Sequence, residues 1–253
     1  MLTRGDTAYS IAYVRSLERE RPEGERLFDD AYAHDFAAAG KHAEEGTKRF
    51  LSLPFFVDGI RLRTRGIDDF VRLGLKEGVR QIVLLGAGFD ARALRMPEIE
   101  ASCAQVFEVD VEGVLASKAE IMEASRVISP RWRHVVASDF SDAAFDQSLM
   151  PALEAEGLVA SEPVLYVWEG VIAYLGNEAI DRTLRFMANT QVRDTRAVFD
   201  FAPMAFEPPA EERVRAAGFS RFEQVSFEAL SRMYLSDMPH PASAVPHLGM
   251  AYV

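Results

Sequence analysis

A short apolar run that ends at two glycines is the sequence feature that most constrains the fold of this chain. Residues 79–96 read VRQIVLLGAGFDARALRM. The run Gln81–Leu85 is too short for a helix and rich in branched residues, so it predicts a buried central strand. Gly86 and Gly88 follow it, and glycine permits a tight turn whose backbone N–H groups can approach a ligand. The pattern therefore predicts a strand, a turn and a helix at a cofactor site.

A second predicted strand ends at an acidic residue. The second strand is predicted at residues 105–109, QVFEV, and Asp110 closes it, 22 residues after Gly88. In a doubly wound sheet the ends of the first two strands are adjacent, so a carboxylate there is placed to accept the hydroxyl protons of a ribose. The sequence therefore predicts a pocket for adenosine.

The glycine turn also indicates which adenosine cofactor it serves. The third glycine of the dinucleotide pattern G-x-G-x-x-G is replaced by Ala91, and Asp90 precedes it. A carboxylate in the first helical turn competes with a phosphate for the same positive helix end. A cofactor without phosphates but with a cationic centre, S-adenosylmethionine, suits Asp90 better. A nicotinamide oxidoreductase and a turn that merely connects a strand to a helix are the alternatives.

Later segments alternate between strand and helix, which predicts a parallel α/β sheet. The helix predicted at Asn177–Ala188 has apolar residues in helical spacing at Ile180, Leu184 and Met187. Near the C-terminus, two further segments predict an antiparallel hairpin that closes the sheet. The additional predicted strands are residues 133–137, 163–168, 195–201, 222–226 and 248–253.

Several motifs together resemble one enzyme family. The strings QIVLLGAGFDARALRM, FEVD, ASDF and WEGVIAYL, with DTAYSIAYVRSLERERP, RLFDDAYAHDF and RTRGIDDF upstream, occur in the same order and spacing. They resemble the leucine carboxyl methyltransferase-like family of class I S-adenosylmethionine-dependent methyltransferases, including its bacterial polyketide O-methyltransferase branch. The resemblance implies a Rossmann-like, mostly parallel sheet with a C-terminal antiparallel hairpin. It also implies an N-terminal helical cover, residues 1–75, on a methyltransferase core, residues 76–253.

The resemblance assigns roles to individual residues. Arg63 would bind the carboxylate of the methionine moiety, with Arg15 a weaker candidate for a second contact, and Asp110 would hold the ribose hydroxyls. Glu169 would lie beneath the methionine part, and Tyr174 would face the methyl acceptor. Gly86 and Gly88 would line the methionine and ribose, and Asp139 and Phe140 would meet the adenine. The predicted cofactor-binding set is Arg63, Gly86, Gly88, Asp110, Asp139, Phe140 and Glu169.

Several of these residues have a structural alternative. Arg63 lies between Arg61 and Arg65, and such a cluster is often a solvated helix face. Asp139 could cap the following turn. Tyr174 could belong to the core. Glu169 follows a buried strand, where an unpaired charge is costly, so a partner or a functional role is expected.

Composition favours an enzyme that acts on small molecules. The net charge of −11 would repel nucleic acid phosphates. Cys103 is the single cysteine, which is consistent with a reducing compartment. No apolar stretch approaches the roughly 18 to 20 residues that span a bilayer, so we expect a cytoplasmic protein without a membrane partner. The histidines show no metal-ligand spacing, so no metal site is predicted; they are His34, His42, His134, His240 and His247.

The expected function is S-adenosylmethionine-dependent O-methylation of a carboxylate or hydroxyl on a small, polyketide-type molecule. No catalytic residue can be named, and the missing His–Asp pair favours an acceptor that is already acidic. Two other classes stay open: a protein C-terminal carboxyl methyltransferase and a non-catalytic S-adenosylmethionine-binding protein. The apolar residues 50–57 are expected to line the acceptor pocket or the core. The link at residues 201–218 is shorter than the resemblance implies, so any covering insertion there is reduced.

Overall fold

A seven-stranded sheet organises the part of the chain that the computed structural model describes, residues 4–40, 44–53, 56–189, 192–235 and 247–253. The strands are β1 (Gln81–Leu85), β2 (Gln105–Asp110), β3 (Arg133–Ala137), β4 (Val164–Trp168), β5 (Arg196–Phe201), β6 (Arg221–Ser226) and β7 (His247–Tyr252). The helices are α1 (Arg4–Ser16), α2 (Ala33–Ala39), α3 (Glu44–Leu51), α4 (Phe56–Lys76), α5 (Arg92–Arg95), α6 (Pro97–Ala101), α7 (Glu112–Ala124), α8 (Phe145–Ala155), α9 (Asn177–Ala188), α10 (Ala210–Ala217) and α11 (Phe227–Tyr234). Short 3₁₀ turns lie at Leu17–Glu20, Glu23–Glu25, Ile172–Tyr174 and Pro203–Ala205.

The order of the strands places the carboxyl ends of several strands at one edge. The sheet runs β3-β2-β1-β4-β5-β7-β6. The first five of these strands are parallel, and β7 is antiparallel to both β5 and β6. The chain reverses its direction of winding between β1 and β4, which creates a switch point where ligands bind in such sheets.

The predicted fold class is confirmed, and the C-terminal strands refine it. Strands six and seven pair in antiparallel fashion as predicted. The helix α11 lies between them, and β7 inserts between β5 and β6 instead of forming the outer strand.

Helices cover both faces of the sheet. Successive residues of β1 point to opposite faces: Val83 contributes to a core with α8 and α9, whereas Ile82 contributes to a core with α4. Every residue of β1 and β4 is buried, as expected for central parallel strands. The predicted apolar face of α9 is buried as well.

The N-terminal helices attach to this sheet through α4 and through the turn after β1. Along α4, Ile67, Val71 and Leu75 recur at helical spacing and share a core cluster with β1 and β4. The rings of Phe36 on α2 and Phe89 stack with centroids 5.2 Å apart. A boundary at residue 75 stays a prediction. No helix among the described residues is long and apolar enough to cross a membrane.

Candidate functional site

A cavity of about 460 Å³ opens at the carboxyl edge of the parallel strands. Its floor is formed by residues that follow β1, β2, β3, β4 and β5, and its cover by α1 and the start of α4. This is the switch-point position expected for a ligand. The cavity is lined by each of the predicted site residues, Arg15, Arg63, Gly86, Gly88, Asp110, Asp139, Phe140, Glu169 and Tyr174.

Two glycines shape the turn after β1. Gly86 and Gly88 have φ values of 72° and 49°, a region that side chains disfavour. A Cβ at Gly86 would lie 2.3 Å from Val171 Cγ2. The N–H groups of both glycines are used within the turn: Gly86 donates to the Val109 carbonyl at 2.8 Å and Gly88 to Asp110 Oδ2 at 2.7 Å. These amides hold the turn against the end of β2 because the two strands are hydrogen-bonded neighbours.

Asp110 both supports the turn and faces the cavity. Its Oδ2 accepts the Gly88 N–H and its Oδ1 accepts the Val111 N–H at 2.7 Å. Burial raises the pKa of Asp110, and the two backbone N–H donors counteract part of that effect. Each carboxylate oxygen has a second lone pair, which remains for a hydroxyl donor.

Asp139 and Phe140 follow β3 at the same edge. Asp139 is exposed and its Oδ1 accepts hydrogen bonds from the Ser141 N–H at 2.9 Å and the Ser141 hydroxyl at 2.6 Å. The capping alternative is therefore correct for the turn, although Asp139 also lines the cavity. Phe140 is buried, and its ring meets Phe145 edge-on at 5.3 Å, which leaves it a rigid aromatic wall.

Arg63 projects from α4 into the cavity wall between two carboxylates. Its Nε donates to Glu169 Oε1 at 2.9 Å and its Nη1 to Asp200 Oδ2 at 3.0 Å. The alternative of a solvated arginine face does not hold, because Arg61 and Arg63 are both buried. Arg61 instead pairs with Glu18 at 2.7 Å.

Glu169 is held by arginines on both sides. Its Oε1 accepts from Arg63, and its Oε2 accepts from Arg92 Nη1 at 2.8 Å. Burial alone would raise the pKa of Glu169, but the charges of Arg92, Arg63 and Arg15 outweigh it and lower the pKa to about 2. Glu169 therefore stays ionised and does not serve as a base near neutral pH.

Asp90 has a structural role that the sequence did not reveal. Its carboxylate pairs with Arg92, and the Asp90 backbone carbonyl accepts from Lys118 Nζ at 2.5 Å. Lys118 is fully buried and also pairs with Glu108 at 2.8 Å. The argument that the charge of Asp90 repels phosphate therefore loses its basis, because Arg92 compensates that charge.

The remaining candidates lie on the cover and on the outer wall. Arg15 on α1 pairs with Asp30 at 3.1 Å and donates to the Phe89 carbonyl, so it links the cover to the glycine turn. Tyr174 lines the cavity and is 42 % exposed, which is too exposed for a core residue. Of residues 50–57, Phe56 lines the cavity, and residues 54 and 55 lie outside the described ranges.

Two residues that pair with the predicted site residues escaped the sequence analysis. Asp200 is an acid near the end of the apolar strand β5, and the reasoning that selected Asp110 and Glu169 at strand ends would have found it. Arg92 is buried, follows the glycine turn and donates to Glu169. Among the described residues, no histidine lines the cavity and no group of three metal-ligand side chains occurs. His42 and His240 lie outside them.

A comparison with protein families places this site in context. The family model for leucine carboxyl methyltransferase matches residues 8–188. That range includes α1 from residue 8 onward, the glycine turn, the end of β2 and the Glu169 turn, and it leaves out Asp200.

Bacterial relatives match the chain over most of its length. A protein of Parafrankia sp., provisionally named an S-adenosyl-L-methionine-dependent methyltransferase, is 31% identical over 92% of this chain and 75% of its own length. Proteins of Streptomyces coelicolor and Streptomyces avermitilis with the same provisional name are 36% and 35% identical over 70% of this chain. The chain spans 62% of the length of these two relatives.

Solved structures share the fold. A DUF574 family protein of Streptomyces avermitilis MA-4680 superposes with a TM-score of 0.64 at 14% identity, covering 97% of this chain and 96% of that one. A protein of Thermobifida fusca YX, provisionally called a methyltransferase, gives 0.59 at 14% identity over 84% and 88%. At these identities the likeness concerns the fold alone.

Proposed function

Because the chain belongs to the leucine carboxyl methyltransferase family, we propose that it transfers a methyl group from S-adenosylmethionine to an oxygen of a small, polyketide-type acceptor. The family and its relatives make the chain an S-adenosylmethionine-dependent methyltransferase. The acceptor, the choice of oxygen and the residue roles are the proposal.

The charges around the cavity support a cofactor without phosphates. The cations among its described lining residues are Arg15 and Arg63, and each is paired with carboxylates. A pyrophosphate would find no uncompensated positive charge there. The five acids in the lining still outnumber these two arginines and the buried Arg92 that compensates Asp90, and this excess favours a ligand with net positive charge; they are Asp90, Asp110, Asp139, Glu169 and Asp200. This charge balance is the observation that carries the proposal.

The described lining residues include a candidate partner for the adenine, the ribose and the methionine part of such a cofactor. S-adenosylmethionine supplies, when bound, an activated methyl group on a cationic sulfur. Asp110 would accept the ribose hydroxyls, Asp139 and Phe140 would meet the adenine, and Arg63 would donate to the methionine carboxylate. The chain itself would orient the acceptor and exclude water, and orientation of two reactants contributes roughly 7 to 11 kcal/mol.

The acceptor side of the cavity supports a small apolar molecule over a peptide end. Part of the cavity wall consists of apolar side chains contributed by α4, the 3₁₀ turn after β4 and the residue that follows it, α9 and the end of β5. Those side chains are Phe56, Ile60, Ile172, Leu175, Ile180 and Phe201. Residues of α1 line the same cavity, and this cover favours a pocket over the open groove that a protein tail would need.

The absence of a histidine among the described lining residues supports an acceptor that is already acidic. No histidine lines the cavity, and the pKa of Glu169 lies near 2. A carboxylate needs no base near neutral pH, whereas an alcohol or ordinary phenol must lose a proton.

Mass spectrometry of turnover mixtures tests the proposal. The protein is incubated with S-adenosylmethionine and a panel of small carboxylic acids, phenols, amines and thiols, with a carboxyl-terminal peptide as a further arm. We expect O-methylated products and an equal amount of S-adenosylhomocysteine, with a turnover that is flat above pH 6 for a carboxylate. A steep rise through pH 8 would indicate a phenol or hydroxyl. Methylation confined to nitrogen, sulfur or the peptide, or cofactor binding without transfer, would contradict it.

A further inference from the structure

We propose that Asp200 is a positioning residue that orients Arg63 toward the carboxylate of the cofactor's methionine part. This inference rests on the proposed function, because that function makes the methionine carboxylate the ligand of Arg63. Asp200 itself is not required to touch the reacting atoms.

The register of the sheet brings Asp200 to Arg63. Trp168 of β4 pairs with Phe199 of β5. Glu169 and Asp200 are the next residues along these parallel neighbours, so they lie side by side. Arg63 approaches both from α4 on the covering side. The two carboxylates therefore occupy adjacent positions on the cavity wall, one on each side of the same guanidinium.

Both oxygens of Asp200 are engaged. Oδ2 accepts from Arg63 Nη1 at 3.0 Å, and Oδ1 accepts from the Gly170 N–H at 2.6 Å. Gly170 has a φ of 71° and packs against the guanidinium, since a Cβ there would lie 3.4 Å from Arg63 Nη1 and Nη2. Asp200 thus holds the arginine and, through Gly170, the turn that presents Glu169 to the same arginine.

Because a guanidinium is rigid, these two contacts also determine where the third nitrogen of Arg63 points. The group is planar and its nitrogens form a rigid fork, so fixing Nε on Glu169 and Nη1 on Asp200 fixes the direction of Nη2. Within the described chain, Nη2 of Arg63 makes no hydrogen bond or ion pair, and Arg63 lines the cavity. Nη2 is therefore the nitrogen available to a ligand carboxylate.

Two ligands distinguish the orientation of Arg63 by Asp200 from a general contribution of Asp200 to the stability of the protein. S-adenosylhomocysteine contains the amino-acid part, whereas 5′-methylthioadenosine keeps the adenosine and the thioether without it. In Asp200→Asn the side-chain amide has a single acceptor oxygen, so it cannot accept hydrogen bonds from both Arg63 and Gly170. Its NH₂ group then faces the Arg63 guanidinium, which is also a donor. We expect binding of S-adenosylhomocysteine, measured by calorimetry, to weaken about 10-fold or more and binding of 5′-methylthioadenosine to stay nearly unchanged.

Further variants provide the controls. Arg63→Met should produce the same selective loss, and adding Asp200→Asn to it should weaken S-adenosylhomocysteine no further, because the two residues act as one unit. Glu77→Gln is the matched control, since Glu77 pairs with the buried Arg196 at the opposite end of β5. It should leave the affinity ratio of the two ligands unchanged.

The outcomes distinguish a failure of the proposed function from a failure of the role assigned to Asp200. If the wild type binds neither ligand, the proposed function fails. If the wild type binds both and Asp200→Asn weakens both equally, or neither, the role of Asp200 is overturned while the function stands. If Asp200→Asn does not fold, Asp200→Glu is measured with the same ligands. Its extra methylene should weaken S-adenosylhomocysteine alone, and an equal effect on both ligands would again overturn the inference.

Discussion

At the scale of single residues, carboxylates at neighbouring strand ends determine the chemistry of the cavity. Asp110 ends β2, Glu169 follows β4 and Asp200 is the penultimate residue of β5, and each has at least one backbone or arginine partner. The first two were predicted, because an acid at the end of a strand pattern is visible in the sequence, and Asp200 carries the same signal. Their partners could not be predicted, since they come from distant segments.

Replacing Asp110 tests the ribose assignment. Asp110→Ala should weaken binding of S-adenosylhomocysteine by about 1.5 to 3 kcal/mol, because charge-assisted hydrogen bonds are lost. Isothermal calorimetry measures this, with Glu112→Ala as the control because Glu112 is an exposed acid two residues further along. An unchanged dissociation constant in Asp110→Ala would remove the assignment.

The ion pairs of Glu169 should make stability depend on pH. The pKa of Glu169 in the folded state, about 2, lies below the usual value of 4.5. The stabilisation by its ion pairs is therefore fully present above pH 4.5 and is lost as the pH falls toward 2. The shift corresponds to a stabilisation on the order of 3 kcal/mol, of which about 2 kcal/mol is lost between pH 6 and pH 3.

Denaturant unfolding at a series of pH values measures this dependence. We expect Glu169→Gln to be less stable than the wild type at pH 6, because Arg63 and Arg92 each lose one of their carboxylate partners, and to lose less stability on acidification. Glu162→Gln, which changes an exposed carboxylate at the other end of β4, should keep the wild-type slope. Parallel slopes for the wild type and Glu169→Gln would count against the ion-pair interpretation.

At the scale of elements, the turn after β1 depends on backbone geometry more than on side chains. The two positive φ angles let the chain fold back onto the end of β2, where Gly86 and Ala87 both donate to the Val109 carbonyl. The glycines predicted the turn. They did not predict that the amides would be used internally, because this depends on which strand lies beside β1.

A substitution in this turn tests its geometry. Gly86→Ala should cost at least about 1 to 3 kcal/mol of unfolding free energy, because φ is positive and the new methyl group would meet Val171. Cofactor affinity should fall with it. Gly113→Ala in α7 is the contrast, since nothing lies within 4 Å of a Cβ there; it should be neutral or gain up to about 1 kcal/mol. Equal stability of the two variants would refute the strain argument.

The helices that cover the sheet were predictable in part. The apolar spacing along α4 and α9 is a local signal, so both faces could be assigned to the core. The connection of α1 to the glycine turn depends on Arg15, which donates to the Phe89 carbonyl 74 residues away. No local pattern reports that contact.

At the scale of the whole molecule, ligand binding should raise stability through mass action. S-adenosylhomocysteine at about 100 times its dissociation constant should add about 2.7 kcal/mol, which raises the Tm of a chain of this size by roughly 5 °C or more. NADH at the same concentration should leave the Tm unchanged, because the lining arginines are already paired. Differential scanning fluorimetry compares the two, and a larger shift with NADH would favour the oxidoreductase alternative.

The sequence by itself determined the succession of strands and helices, the glycine turn and the acids at the ends of β2 and β4. Each of these follows from an apolar period or a residue type within a short window. Only the tertiary structure decided which charges meet. Arg63 finds Glu169 and Asp200 at separations of 106 and 137 residues, and Arg92 compensates Asp90. Such pairs depend on the order in which the strands assemble, because the order of the sheet, and not the order of the chain, determines which strand ends are neighbours.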